Sequence, residues 1–165
     1  MAHLDPSSAE VLVFTFKEGL LSAVAHDLKL RPTKFGLDVD GDSVKAEFDA
    51  ASLKVVCAMK DGQENPSGLP GFAHAEIEKN LVNDVLESKK HPQIRFETTS
   101  ITDTQVKGRL TLHGQTREVV GARKDAGGKR VAEFRLDQRD FGIKVYSAML
   151  GTLKIKPEIV VRVAF

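Results

Sequence analysis

The sequence predicts a mainly β protein: an eight-stranded antiparallel β-barrel with one principal amphipathic helix. Three observations lead there. Residues 92–113 read PQIRFETTSI, TDTQ and VKGRLTLH, two alternating segments around a short turn. A third alternating segment, Thr116-Arg117-Glu118-Val119-Val120, starts at once after His113-Gly114. Period-two alternation broken by tight turns marks an antiparallel meander. Finally, one stretch, His74 to Lys90, carries an apolar stripe at helical spacing: Ile77, Leu81, Val82, Val85 and Leu86.

The remaining elements follow in chain order. Ala9 to Lys17 reads as the first strand, with Leu12, Phe14 and Phe16 on one face and Val11, Val13 and Thr15 on the other. Both faces are largely apolar, so this strand is expected to be covered on two sides. Glu18 to Ala25 is rich in small residues and reads as one or two helical turns. Asp27 to Val39 returns as a strand whose apolar parity switches from Leu28 and Leu30 to Phe35, Leu37 and Val39. Pro32 at the switch predicts a bulge or kink. Asp40-Gly41-Asp42 is a hairpin turn signal. Ser43 to Met59 follows as a strand interrupted at Asp49 to Ser52. Lys60 to Gly71, rich in Gly, Pro and polar residues, reads as a loop. Pro92 stops the helix, and lysines gather at its C-terminal end, where the dipole favours them. Strands are expected at about 93–101, 105–113, 116–123 and 130–137. Arg139 to Leu150 is less regular. Thr152 to Phe165 is the last strand, broken locally by Pro157.

The chain of 165 residues suits one domain over 1–165. At this length folding buries about two-thirds of the unfolded chain's surface, enough for a core without disulfides or metal. A hydrophobic content of 41% with 28% charged residues excludes a disordered chain. A net charge of +1 supplies no electrostatic argument for nucleic acid or an anionic surface. Cys57 is the only cysteine, so no intrachain disulfide forms, and in an apolar strand it reads as an inert small hydrophobe. The opening MAHLDPSSAEVLVF has neither a basic region nor a long apolar core of a signal peptide, so a cytoplasmic location is expected. No apolar run approaches the roughly 20 residues of a membrane-spanning helix.

Eight antiparallel strands can close and so remove exposed edges. Such a barrel is wide enough to be filled by side chains or to hold one small ligand. Gly108 and Ala46, small residues among Leu110, Leu112 and Phe48, fit a hollow interior and equally a tapered solid one. The phenylalanines Phe14, Phe16, Phe35, Phe48, Phe96, Phe134 and Phe141 are core first and cavity wall second.

Few residues carry a chemical signal. His26 can shuttle protons or hydrogen-bond a phosphate; it can equally pin its loop through a backbone hydrogen bond. Asp27, adjacent in an extended segment, points to the other face. Arg139 can grip an anionic group with two parallel donors, or be satisfied by Asp140 and nearby backbone while Phe141 plugs the barrel. His74, His91 and His113 have no metal-ligand spacing, and His113 at a turn is expected to be exposed. Ser22, Ser52 and Ser147 lack a nucleophile elbow, and Gly127-Gly128 does not precede a helix as a phosphate loop would. Neither metal nor cofactor is expected.

The segments VKAEFDAASLKV, HPQIRF, VKGRLTLHGQTREV and FRLDQRDFGIKV, in that order and spacing, resemble the YceI-like family of lipocalin-like barrels that bind polyisoprenoid lipids. Phe141-Gly142-Ile143 is similar to that family's barrel-end motif. The region Lys60 to Asn83 departs from the family pattern, and the chain has no Trp, unlike ordinary lipocalins. The resemblance implies a non-enzymatic protein holding a long apolar isoprenoid-like lipid, with a homodimer by analogy. The cavity wall or mouth would then comprise Phe14, Phe16, His26, Phe35, Phe48, Phe96, Leu110, Leu112, Phe134, Arg139 and Phe141. Two other readings stay open: an enzyme acting on a lipid or isoprenoid-like substrate through His26, and a solid-core interaction module working through the helix or the Lys60–Gly71 loop.

Overall fold

A computed structural model describes residues 1–18, 26–148 and 153–165. The helical turns expected within Glu18 to Ala25 and the end of the segment Arg139 to Leu150 lie largely outside the described residues. The strands, in order, are β1 (Ala2–Leu4), β2 (Glu10–Thr15), β3 (Lys17–Glu18), β4 (Asp27–Pro32), β5 (Phe35–Asp40), β6 (Ser43–Asp49), β7 (Leu53–Lys60), β8 (Gln63–Glu64), β9 (Gln93–Ile101), β10 (Gln105–Leu112), β11 (Gln115–Arg123), β12 (Val131–Asp137), β13 (Ser147–Ala148), β14 (Leu153–Ile155) and β15 (Glu158–Ala164). Among the described residues one α-helix, α1, spans Gly71–Asn80.

The main sheet is antiparallel, with neighbours in the order β1-β5-β6-β9-β10-β11-β12-β15-β2-β4-β7-β8. The two halves of this order are joined covalently, because β4 runs on into β5 and β6 into β7. These two bent strands pair along their whole length, as β4 with β7 and β5 with β6. The path therefore returns on itself: β2 flanks the β4 half and β9 flanks the β6 half of one long hairpin. With each bent strand taken as one and the short β1 and β8 set aside, eight strands make a curled, barrel-like sheet.

The bend is held by Ser52. Its hydroxyl accepts the Lys34 N–H at 3.1 Å and donates to the Asp49 carbonyl at 2.8 Å, while Thr33 N–H donates to the Ser52 carbonyl at 3.0 Å. The parity switch beside Pro32 is therefore a real bend, at Thr33-Lys34. Inward positions move from Leu28 and Leu30 to Leu37 as the strand turns the corner. Two further register shifts occur, between Lys29 and Leu30 against β7 and between Lys107 and Gly108 against β9. Such bulges sharpen the local twist and tighten the curl of a sheet.

The helix differs from the expected His74–Lys90. It begins earlier, at Gly71, entered through Pro70, and after Asn80 it loosens into a π turn over Leu81–Val85. Leu86 N–H bonds to the Leu81 carbonyl, five residues back. Glu87, at φ 48°, ends the helical path, so Ser88 to Lys90 form a turn and not a last helical turn. The Lys60–Gly71 loop is also more ordered than expected. Asp61 and Gly62, at φ 52° and 77°, make the tight turn of a β7–β8 hairpin, and Pro66–Gly68 form a 3-10 turn. Within the described residues, no helix is long and apolar enough to cross a membrane.

Candidate functional site

Where β7 leaves the line of β9, the helical segment fills the gap. Ala73, Ile77 and Leu81 of that segment pack against Leu28, Leu30 and Val55 on the inner sheet face. Beneath them lies a cavity of ≈ 560 Å³. Its walls are largely apolar: Val11 and Val13 of β2, Leu28 and Leu30 of β4, Val161 and Val163 of β15, and the helical Ile77 and Leu81.

Polar residues of the lining gather at one end. Thr15 closes β2, His26 precedes β4, Gln138 follows β12 and Lys154 precedes β15. In an antiparallel sheet these positions lie at the same end of neighbouring strands. Glu76 and Asn80 of α1 and Tyr146 are polar too, and Asp49, at the strand bend that ends β6, adds a further carboxylate to the lining. Asn80 Nδ2 donates to the Tyr146 hydroxyl at 3.3 Å, and Gln138 Nε2 donates to the Lys156 carbonyl at 3.2 Å. Thr15 Oγ1 is buried and, among the described residues, has no hydrogen-bond partner.

Away from that end the barrel is solid on the side of β9 to β12. On β9 the wall comprises Ile94 and Phe96, on β10 Leu110 and Leu112, on β11 Val119, and on β12 Phe134 and Leu136; there it stops. Leu37, Val44 and Val106, buried deeper, do not reach the cavity. Two aromatic rings mark the boundary. A Cβ placed on Gly108 would meet the Phe96 ring at 2.5 Å, and one on Gly121 the Phe134 ring at 2.7 Å. Each ring therefore sits over a glycine of the neighbouring strand, and the two pack edge to face with centroids 5.6 Å apart. The barrel is hollow at one end and, on the side of β5, β6 and β9 to β12, filled at the other. The space over Gly108, which the sequence offered as ligand room, is occupied by Phe96.

Of the residues expected at the wall or mouth, the structure brings together His26, Phe48, Phe96, Leu110, Leu112 and Phe134. It places the other five elsewhere. Phe14 points outward, with the Arg162 guanidinium 5.1 Å from its ring centre. Thr15 and Val13 hold the inward positions of that strand, so the face opposite to the aromatic one lines the cavity. Phe16 lies off the wall, half-buried, its carbonyl accepting the Lys156 N–H at 2.8 Å. Phe35 stacks on Phe48 at 5.7 Å and borders an outer groove in which Lys34, Lys45 and Arg95 offset Asp38, Glu47 and Glu97. Arg139 grips Asp137, with Nη2 to Oδ2 at 2.7 Å and Nε to Oδ1 at 3.0 Å, and not Asp140. Those hydrogen bonds push the Asp137 carboxyl below its usual range and the guanidinium above its own. Phe141 is 2% exposed and packed in the core, off the cavity.

The helical residues, Thr15, Gln138, Tyr146 and Lys154 were missed as wall residues. The apolar stripe already contained Ile77 and Leu81, and Thr15 was the one polar residue in an apolar run.

His26 and Asp27 do diverge. Asp27 Oδ1 accepts the Lys17 N–H at 2.7 Å, so the carboxylate ties β3 to the start of β4. Among the described residues no hydrogen bond to the His26 ring is found. His113 is not exposed: its side chain is 13% accessible, with Nδ1 3.2 Å from the Phe141 carbonyl and Nε2 3.3 Å from Glu87. His91 packs against it with ring centres 4.5 Å apart. Hydrogen bonds from Lys90 and then His113 draw the Glu87 carboxyl downward. No group of three His, Cys, Asp or Glu fit to hold a metal occurs among the described residues. Cys57 is buried on the outer side of β7; burial, followed by the nearby Glu64 charge, pushes its thiol up and makes it a poor nucleophile.

The YceI-like domain model matches residues 3–165. The chain belongs to the YceI-like family. Among curated relatives, a UPF0312 protein of Vibrio cholerae is 37% identical over 91 residues, 46% of this chain and 48% of that protein. A UPF0312 protein of Pseudomonas putida is 37% identical over 98 residues, 50% of this chain and 51% of that protein. The chain thus matches about half the length of these relatives. In structure it is similar to Burkholderia cenocepacia BcnA, at TM-score 0.62 and 15% identity over 96% of this chain and 95% of that one. It is also similar to a polyisoprenoid binding domain from Saccharophagus degradans, at TM-score 0.60 and 9% identity over 99% and 96%. At these identities the likeness establishes the shared YceI-like barrel fold.

Proposed function

We propose that this YceI-like protein binds an apolar, isoprenoid-like lipid in its cavity and does not transform it. The observation that carries this reading is the ≈ 560 Å³ cavity, whose wall is largely apolar with few polar residues. Each methylene taken from water contributes about 0.8 kcal/mol, so ten buried carbons supply roughly 8 kcal/mol before the costs of association. An apolar chain therefore needs few polar contacts, and its head group lies at the end formed by Thr15, His26 and Lys154. The named ligand class of the Saccharophagus degradans domain agrees with this choice. The YceI-like family match and the polyisoprenoid binding domain among the structural neighbours favour binding over catalysis.

The test is native mass spectrometry of the freshly purified protein, followed by organic extraction and incubation with added prenols. A bound apolar lipid near one per chain is the expected result. A protein that carries no lipid and takes up no prenol contradicts the proposal.

A further inference from the structure

Resting on that lipid-binding reading, we propose that the Phe96–Phe134 pair is the floor of the cavity and sets the length of chain the protein accepts. From β9 to β12 the wall ends at the level of these two rings, while on β15 and β2 it runs one inward pair further, to Val163 and Val11; Leu37, Val44 and Val106 lie beyond the rings, buried without reaching the cavity. The rings are fixed from both sides. Each lies on a glycine of the neighbouring strand, where any side chain would collide, and each meets the other edge to face. Neither ring can sink without losing the other's edge, because Gly108 and Gly121 already bring it against backbone.

The volume above the floor then fixes the ligand's size. At roughly 30 Å³ per methylene-sized group, ≈ 560 Å³ holds about twenty carbons. That is an apolar chain of about four isoprene units. The part of a longer chain that finds no room stays in water and loses the cover it had in a micelle or bilayer. The device therefore selects against long polyprenyl chains and not only for apolar ones.

The experiment offers an equimolar mixture of linear prenols of three, four, six and eight isoprene units in detergent micelles. Native mass spectrometry reads which one is retained. For the wild type, retention is expected to peak near four units, with the eight-unit chain held at least tenfold less. Phe96→Leu and Phe134→Leu, which keep an apolar side chain but shorten it, move the peak to longer chains. Gly121→Ala, which presses the Phe134 ring towards the cavity, moves it to shorter ones. The opposite directions separate a floor from a general loss of folding. If the wild type retains all four chains equally, or if the peak stays put in all three variants, the floor is refuted while lipid binding stands. If the wild type retains no prenol, the proposed function falls, and the floor with it.

Discussion

Replacing Gly108 with alanine probes the ring-over-glycine packing directly. The new Cβ would sit 2.5 Å from Cε2 and Cζ of Phe96 and 2.6 Å from the Glu97 carbonyl oxygen. The ring can be displaced, but the backbone oxygen cannot move without disturbing the β9–β10 ladder. Overpacking of this kind costs about 1–3 kcal/mol, and contact on two sides points to the upper half of that range. Phe96→Ala alone costs less than the roughly 3–5 kcal/mol of a wholly enclosed phenylalanine, because one side of the ring borders the cavity; about 2–3 kcal/mol is expected. In the double variant the ring is gone, and only the Glu97 clash remains. The two costs therefore do not add, and a double-mutant cycle yields a favourable coupling of about 1 kcal/mol. Urea denaturation of the four proteins measures it. Costs that sum to within about 0.5 kcal/mol would show that the methyl never met the ring, and the packing described here would be wrong.

Three other perturbations have clear signs. Ser52→Ala removes a buried hydroxyl and strips the Lys34 N–H of its acceptor at the strand bend; a loss of about 1 kcal/mol is expected, visible as a fall in melting temperature, and an unchanged melt would remove Ser52 from the account of the bend. Thr15→Val replaces a buried hydroxyl that has no partner among the described residues with a methyl; in the lipid-free protein it should raise stability by about 1 kcal/mol, whereas a decrease would reveal a partner for Oγ1. Asp137, Asp5 and Glu87 all have folded-state pKa values lowered, by hydrogen bonds from Arg139, Ser7 and Lys90 respectively. Their contribution is present above the unfolded carboxylate range, near pH 4, and is lost as pH falls through the lower folded values. Asp137→Asn should therefore flatten part of the acid slope in a series of melts from neutral to strongly acidic pH; an identical slope would mean that the Arg139 pair contributes nothing.

Much of the barrel could be read from the chain because its strands alternate cleanly. Val106, Gly108, Leu110 and Leu112 are all buried while their neighbours are not. The bend near Pro32 was legible as a change of parity. The inner face of β2 was not, since both of its faces are apolar and the bulkier one was the natural choice for a core. Sequence could not reveal that an outward Arg162 would cover Phe14. Long-range partners were equally hidden. His113 was expected at the surface because its turn is local, yet Glu87 and Phe141, 26 residues away on either side or more, bury it. For Arg139 the partner was two residues back, at Asp137, where the turn geometry and not the order of charges decides. The extent of the helix was misjudged because Gly71 and Phe72 carry no start signal, and Phe72 remains 82% exposed.

The pairing of β2 with β15 has a consequence for biosynthesis. Val13 lies opposite Val161 and Glu10 opposite Ala164, so β2 must wait for a partner strand made much later in the chain. Until then the growing polypeptide exposes two apolar strand edges, those of β2 and β12, as it leaves the ribosome. Contacts so distant in sequence make for slow closure, and open edges of this kind invite pairing with other chains. A ribosome stalled before residue 158 would display the sheet as a ribbon, and a holdase that covers apolar edges would find its substrate there.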